Sequence, residues 1–223
     1  MNLKDFKALP NTRVVNGAIV LEHPVIQHKL SILRDYRTGN KEFRECVDEI
    51  GLLMAYEVTR DLKTNSIEVE TPLAHTKGVT ISSDSITIVP ILRAGLGMVS
   101  GVLKIFPTAR VGHAGVYRNP DTMQPVEYYF KMPKDIANSM VLLIDPMLAT
   151  GGSASWAIAK LLSLGVKDIR LISIISAPEG IEKVAKHFPK VPIFTAAVDE
   201  KLNSHGYIIP GLGDAGDRLY GTK

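Results

Sequence analysis

Short runs of apolar residues recur along the chain, and they predict the strands of a central sheet. Residues Met140 to Ile144 are apolar and include branched side chains, a pattern typical of a buried strand. Similar runs occupy residues 85–92, 109–117, 169–175 and 193–198. Residues 67–71 instead alternate between apolar and polar, as a half-exposed strand does.

Between these runs, apolar residues recur every three or four positions, the period of a helix with one buried face. Pro24 opens the first such segment, and Gly39 and Asn40 separate it from a longer one. The residues predicted to be buried are Ile26, Leu30, Leu33, Phe43, Val47, Ile50, Met54 and Val58. Because strands and helices alternate from residue 85 to 198, the predicted fold class is α/β, a mostly parallel central sheet with helices on both faces.

Three segments fall outside this alternation. Residues 1–20 are predicted to form an N-terminal arm. Residues from about 117 to 132 predict a β-hairpin, and a long hairpin beside a site is the usual place for a movable lid. Residues 203–223 are glycine-rich and predict an irregular but ordered loop, since their apolar residues need a packed surface. No repeat or linker divides the chain, so residues 1–223 are expected to form a single domain.

The strand that ends at Ile144 leads into the strongest candidate chemistry. Asp145 follows it, and Thr150, Gly151, Gly152 and Ser153 then precede an apolar helical pattern. Ligands of open α/β sheets bind beyond the carboxyl ends of strands, where the next helix offers free N–H groups. Residues 150–153 are therefore predicted to hold a phosphate, and Asp145 to hold sugar hydroxyls or, through water, a divalent cation. The glycine pair alone would suit an ordinary turn equally well.

A second strand end offers a similar arrangement. Arg93 follows the apolar run 85–92, and Gly95 and Gly97 come directly after it. An arginine and exposed backbone N–H groups at such a position favour anion binding over a solvated surface charge.

Composition narrows the class of protein. The chain has 223 residues, of which 45% are hydrophobic and 22% charged, as in an ordinary globular domain. The formal charge is +3, but the basic residues are scattered, which suits phosphorylated small molecules better than nucleic acid. The single cysteine, Cys46, cannot form an intramolecular disulfide, so a cytoplasmic location is expected. Neither a signal peptide nor an apolar run of about 18 residues is evident, so no membrane association is expected.

Four motifs resemble those of one enzyme family. The segment from Asp145 to Ser153 resembles the loop with which phosphoribosyltransferases bind 5-phosphoribosyl 1-pyrophosphate (PRPP), and it has neither the Walker A lysine nor the G-x-G-x-x-G spacing. The ending from Tyr207 to Arg218 resembles that of uracil phosphoribosyltransferases, a type I phosphoribosyltransferase family. The stretches Glu70-Thr-Pro-Leu73 and Leu92-Arg-Ala-Gly95 add to this resemblance, which covers most of residues 20–223.

The resemblance implies that uracil and PRPP are converted to UMP and pyrophosphate in pyrimidine salvage. It implies a phosphoribosyltransferase-like fold, Mg²⁺ bound together with PRPP, a homodimer or larger homo-oligomer, and GTP as a possible activator. The PRPP-binding residues it implies are Arg93, Arg118, Asp145, Pro146, Met147, Leu148, Ala149, Thr150, Gly151, Gly152, Ser153 and Asp214. The uracil-binding residues it implies are Tyr207, Ile208, Gly213, Asp214 and Ala215.

Backbone groups exposed by the glycines of the ending could read the edge of a flat base. A paired C=O and N–H that suits uracil would reject the amino group of cytosine. Asp145 is the only carboxylate of its loop, since Pro146 stands where many purine enzymes have a second acid. Electrostatics and positioning are therefore expected to dominate catalysis, with Asp214, Arg93 and Asp145 as catalytic residues and Asp214 as the candidate for proton handling or a magnesium-linked role.

Two alternatives stay open at this point. One is a phosphoribosyltransferase that acts on another nucleobase. The other is a regulator of related fold that binds RNA or DNA and uses PRPP or UMP as a signal. Salt-sensitive RNA binding without turnover would favour this regulator.

Overall fold

A computed structural model describes residues 11–81, 85–118 and 125–222. The strands are β1 Thr12–Val15, β2 Ala18–Leu21, β3 Asn65–Glu70, β4 His75–Thr80, β5 Ile86–Leu92, β6 Arg110–Val111, β7 His113–Arg118, β8 Pro125–Lys131, β9 Met140–Ile144, β10 Met147–Leu148, β11 Asp168–Ser176, β12 Ile193–Val198, β13 Lys201–Leu202 and β14 Ile208–Ile209. The helices are α1 Pro24–Arg34, α2 Asn40–Val58, α3 Leu96–Ile105, α4 Gly152–Ser163, α5 Pro178–His187 and α6 Ala215–Tyr220.

One large sheet runs through the molecule in the strand order β1-β2-β12-β11-β9-β5-β7-β8. Every pairing from β2 to β7 is parallel, whereas β1 and β8 pair antiparallel at the two edges. The predicted fold class is confirmed. Since β5, β9, β11 and β12 are parallel neighbours, the loops that follow them emerge at the same end of the sheet.

Helices cover both faces of this sheet. Along β9, Leu142 and Ile144 face the core formed with α1, α2 and α3. The alternate residues Val141 and Leu143 face the core formed with α4 and α5. Buried on both sides, the central strands are continuously apolar, which is why the sequence pattern identified them. Within the described ranges, none of the helices has the length and apolar character needed to cross a membrane.

The amino-terminal region differs from the predicted arm. Of residues 1–20, the first ten lie outside the described residues, and the rest form the hairpin of β1 and β2. All four residues of β2 are buried, and β2 pairs in parallel with β12. The four apolar residues of β2 are too few to identify a strand by periodicity. The Asn16-Gly17 dipeptide between β1 and β2 is nevertheless a hairpin signal, and it could have revealed this hairpin.

Two other segments contain more regular structure than predicted. The half-exposed strand at residues 67–71 is present as β3, and it pairs with β4 in a hairpin that the sequence analysis missed. The carboxyl-terminal segment, defined here as residues 203–222, was predicted to be irregular, yet it contains β14 and helix α6. The predicted hairpin at about 117–132 is present as β7 and β8, and its tip at residues 119–124 lies outside the described residues.

Candidate functional site

The segment from Asp145 to Ser153, called the Asp145 loop below, is anchored to β11 before it turns into α4. The N–H of Asp145 donates to Ile172 at 3.1 Å. The carbonyl of Pro146 accepts from the N–H groups of Ile174 and Ile175, each at 3.0 Å. These bonds continue the parallel sheet by two residues, as strand β10. The loop therefore leaves the sheet at a fixed point.

Beyond β10, the Asp145 loop surrounds a small pocket at the amino terminus of α4. The pocket has a volume of about 60 Å³, and it is lined by Asp145 and by residues 147–154. Gly151 caps the helix, and no side chain caps it. The first N–H groups of α4 and its positive dipole end therefore make this pocket a favourable place for an anion.

The environment of Asp145 separates it from an ordinary surface carboxylate. The side chain is half-buried, and its Oδ1 accepts the N–H of Met147 at 3.3 Å. Desolvation by burial raises the pKa of Asp145 to about 7, although the hydrogen bond from Met147 acts in the opposite direction. Near neutral pH, a cation or sugar hydroxyls that bind the ionised form would therefore shift Asp145 towards that form.

The loop after β5, residues 93–97 and called the Arg93 loop below, touches the strand that precedes Asp145. A Cβ built on Gly95 would lie 2.6 Å from the carbonyl oxygen of Ile144. This contact leaves no room for a side chain at residue 95. The Arg93 loop and the Asp145 loop are thus adjacent at the carboxyl ends of β5 and β9.

The carboxyl-terminal segment reaches the Arg93 loop through helix α6. The Arg93 guanidinium lies 3.5 Å from the carboxylate of Asp217. The Tyr220 hydroxyl donates to the Arg93 carbonyl at 3.1 Å. The three loops therefore meet at one end of the sheet, the Arg93 loop lying between the other two.

Asp214 has a structural role in addition to its predicted chemistry. It is the N-cap of α6, and its Oδ1 accepts the N–H of Asp217 at 2.9 Å. With Gly213 it lines a pocket of about 280 Å³, to which Tyr36 and Asp217 also contribute. Any substitution of Asp214 must therefore preserve the cap if it is to test chemistry.

Several predicted site residues have side chains that are buried, turned to solvent or outside what the structure describes. Pro146 is buried and does not line the pocket of the Asp145 loop. Tyr207 is 41% exposed, and its backbone bonds to Asn203. The side chains of Ile208 and Ala215 are buried in the core, so these two residues have only backbone atoms to offer a ligand. Arg118 ends β7, and its side chain lies outside what the structure describes.

Three residues that position this site were missed by the sequence analysis. Asp199, Arg34 and Arg218 bond to the backbone of the carboxyl-terminal segment. Asp199 directly follows the apolar strand β12, the same signal that identified Asp145. The two arginines carry no such signal, because neither follows a buried strand and each bonds a carbonyl from a distant part of the chain, Gly211 for Arg34 and Asp35 for Arg218.

Comparisons with known proteins agree with this arrangement. The family described as uracil phosphoribosyltransferase matches residues 20–222. A uracil phosphoribosyltransferase of a Thermoanaerobacter species is 59% identical over 207 residues, which are 93% of this chain and 99% of its own. A solved protein of Aquifex aeolicus is 38% identical, with a TM-score of 0.87 over 92% of this chain and 98% of its own. At 13% identity, the adenine phosphoribosyl transferase of Trypanosoma brucei has the same fold, with a TM-score of 0.56 over 90% of this chain and 89% of its own.

The raised pKa of Asp145 predicts a pH-dependent gain in stability on its neutralisation. Since the pKa is about 7 in the folded protein, ionising Asp145 costs folding free energy as the pH rises from the ordinary aspartate range to about 7. Asp145→Asn should therefore raise the free energy of unfolding by roughly 1 to 3 kcal/mol at about pH 8, and the gain should fall towards about pH 4. Urea unfolding across this pH range measures it. If the difference in unfolding free energy between the variant and the wild type does not change with pH, the raised pKa of Asp145 is contradicted.

Proposed function

The chain belongs to the uracil phosphoribosyltransferase family, and we infer from this membership that it converts uracil and PRPP to UMP and pyrophosphate in pyrimidine salvage. The observation that carries the inference is the 59% identity to a uracil phosphoribosyltransferase along 93% of the chain. The meeting of the three loops at one end of the sheet supports it, because the reaction needs a phosphorylated sugar and a base held side by side.

The Asp145 loop is the proposed site of the ribose 5′-phosphate. Thr150, Gly151, Gly152 and Ser153 hold the phosphate at the start of α4, where free N–H groups and the helix dipole favour an anion. Asp145 faces the same pocket and holds the ribose hydroxyls. Fixing both ends of the ribose holds C1′ in line with the attacking base, and such alignment alone is worth several kcal/mol.

The Arg93 loop is the proposed site of the pyrophosphate. When the bond between C1′ and the pyrophosphate breaks, positive charge spreads over the ribose and negative charge grows on the leaving group. The guanidinium of Arg93, which is paired with Asp217 in the free protein, stabilises that negative charge. Arg118 is proposed to approach the same group from the β7–β8 hairpin, which would serve as a lid over PRPP.

The carboxyl-terminal segment is the proposed uracil site. Because Ile208 and Ala215 bury their side chains, recognition there falls to main-chain groups of residues 208 and 213–215. A fixed C=O and N–H pair matches the edge of uracil and leaves the amino group of cytosine without an acceptor in place. Asp214, which begins α6, is the proposed group for handling the proton that uracil loses.

Magnesium is proposed to enter the site together with PRPP. Among the residues that the structure describes, no group of three or more His, Cys, Asp or Glu is arranged to hold a metal ion. Single carboxylates such as Asp145 and Asp214 suit an ion whose remaining ligands are phosphate oxygens and water. When bound, magnesium would neutralise charge on the pyrophosphate, and the protein residues would orient the substrates around it.

We also propose a homo-oligomer, supported by the exposed β3–β4 hairpin. In the part of the chain that the structure describes, β3 and β4 pair only with each other. Leu73 at the turn is 97% exposed and Val79 is 71% exposed. A two-stranded hairpin is marginally stable alone, so a second copy of the chain that covers these residues would stabilise it. GTP activation and a cytoplasmic location stay predictions; the buried free thiol of Cys46 supports the latter.

The direct test of the activity is formation of UMP from uracil and PRPP. We expect turnover with uracil, little with cytosine, hypoxanthine or orotate, and loss of turnover when magnesium is chelated. The same assay with added GTP tests activation. Equal or faster turnover with another base would favour an enzyme of different specificity, and RNA binding without any turnover would favour a regulator.

The role of Asp214 has a test that preserves the helix cap. Asparagine caps a helix as well as aspartate does, so Asp214→Asn should keep α6 and the thermal unfolding temperature nearly unchanged. Without the carboxylate, kcat should fall by about a hundredfold or more. Steady-state kinetics and thermal unfolding of the same preparation check both parts. Turnover close to that of the wild type would refute a chemical role for Asp214.

A further inference from the structure

An ion pair between Arg34 and Asp199 lies directly behind the carboxyl-terminal segment. Asp199 follows β12 and is only 8% exposed, and Arg34 is the last residue of α1. The two side chains meet in a bidentate arrangement, Nη1 to Oδ2 at 2.8 Å and Nη2 to Oδ1 at 2.5 Å. A bidentate pair of this kind, with its carboxylate buried, holds a fixed geometry.

The backbone of Gly211 is bonded to both members of this pair. Its N–H donates to Oδ2 of Asp199 at 2.8 Å, and its carbonyl accepts from Nη1 of Arg34 at 2.8 Å. Gly211 has a φ of +67°, and a Cβ there would lie 2.2 Å from the carbonyl oxygen of Ile208. Residue 211 therefore has to be glycine in this conformation, and both members of the ion pair hold its backbone there.

Arg218 fixes the backbone of the next residue, Leu212. Its guanidinium donates to the Leu212 carbonyl at 2.8 Å and to the Asp35 carbonyl at 2.7 Å. It also donates to Leu33 and lies 4.3 Å above the ring of Phe43. The consecutive carbonyls of residues 211 and 212 thus each accept from an arginine that is fixed at the end of α1.

We propose that Arg34 and Asp199 are positioning residues that set the affinity for uracil. They touch no substrate in this scheme; they orient the backbone between residues 208 and 213 and hence the groups that read the base. The inference rests on the proposed function. It requires a loop that is already formed in the free enzyme, since recognition by main-chain atoms works only when those atoms are fixed in advance.

Two conservative variants test the proposal by steady-state kinetics. Asp199→Asn keeps an acceptor for the Gly211 N–H but removes the charge that Arg34 needs. Arg34→Lys keeps the positive charge but loses the planar guanidinium, whose separate N–H groups reach both Asp199 and Gly211. Each should raise the KM for uracil by about tenfold or more and change the KM for PRPP by less than about twofold. Arg60→Lys is the matched control, because Arg60 also forms a bidentate pair near a helix end, with Glu57.

An equal rise in the KM values of both substrates, or a fall in kcat alone, would overturn the proposal. A wild-type enzyme that does not use uracil would instead overturn the proposed function, so the two failures can be told apart. Should both variants fail to fold, amide hydrogen exchange on the free wild-type protein decides: we expect slow exchange at the Gly211 N–H without ligand, and rapid exchange there would refute a preformed loop.

Discussion

Parallel pairing of β5, β9, β11 and β12 is the constraint on which the rest of the molecule depends. In a parallel sheet, every strand delivers its carboxyl end to the same side, so distant parts of the sequence deliver their loops to one place. The Asp145 loop and the Arg93 loop are neighbours because β9 and β5 are neighbours. Asp199 lies at this end because β12 belongs to the same sheet. The position of the candidate site is thus a consequence of the sheet, and we propose that each loop contributes one part of the chemistry.

The site also contains groups that do not favour folding by themselves. Asp145 is kept where burial raises its pKa to about 7, a position that costs free energy until a ligand arrives. Asp199 is more deeply buried than Asp145, but Arg34 and the Gly211 N–H satisfy its carboxylate in the free protein. We propose that this difference separates a substrate-binding residue, Asp145, from a positioning residue, Asp199. A buried carboxylate paired with an arginine supports the fold, and one that accepts only a backbone N–H, as Asp145 does from Met147, is a candidate for a substrate contact.

The sequence alone predicts the central strands of the sheet, the main helices and the two loops that follow β5 and β9, because each depends on a local pattern. Asp145 and Arg93 stand directly after buried strands, a position with chemical meaning in this fold class. The bonds from Arg34 to Asp199 and from Arg218 to Leu33 could not be predicted, since they join groups 165 and 185 positions apart along the chain. In the exposed hairpin, β3 is predicted from the sequence and β4 is not, because β4 lacks a clear apolar alternation. Local patterns identify elements, and long-range polar contacts appear only with the fold.

The central claim is that the phosphate and the base are held by two separate loops of one site. Amide hydrogen exchange with and without UMP, which carries both groups, tests it most directly. We expect slower exchange in residues 149–154 and in residues 208–217, and unchanged exchange in the hairpin of residues 65–80, which pairs with no strand of the main sheet. Protection confined to one of the two loops, with the other exchanging as in the free protein, would contradict it.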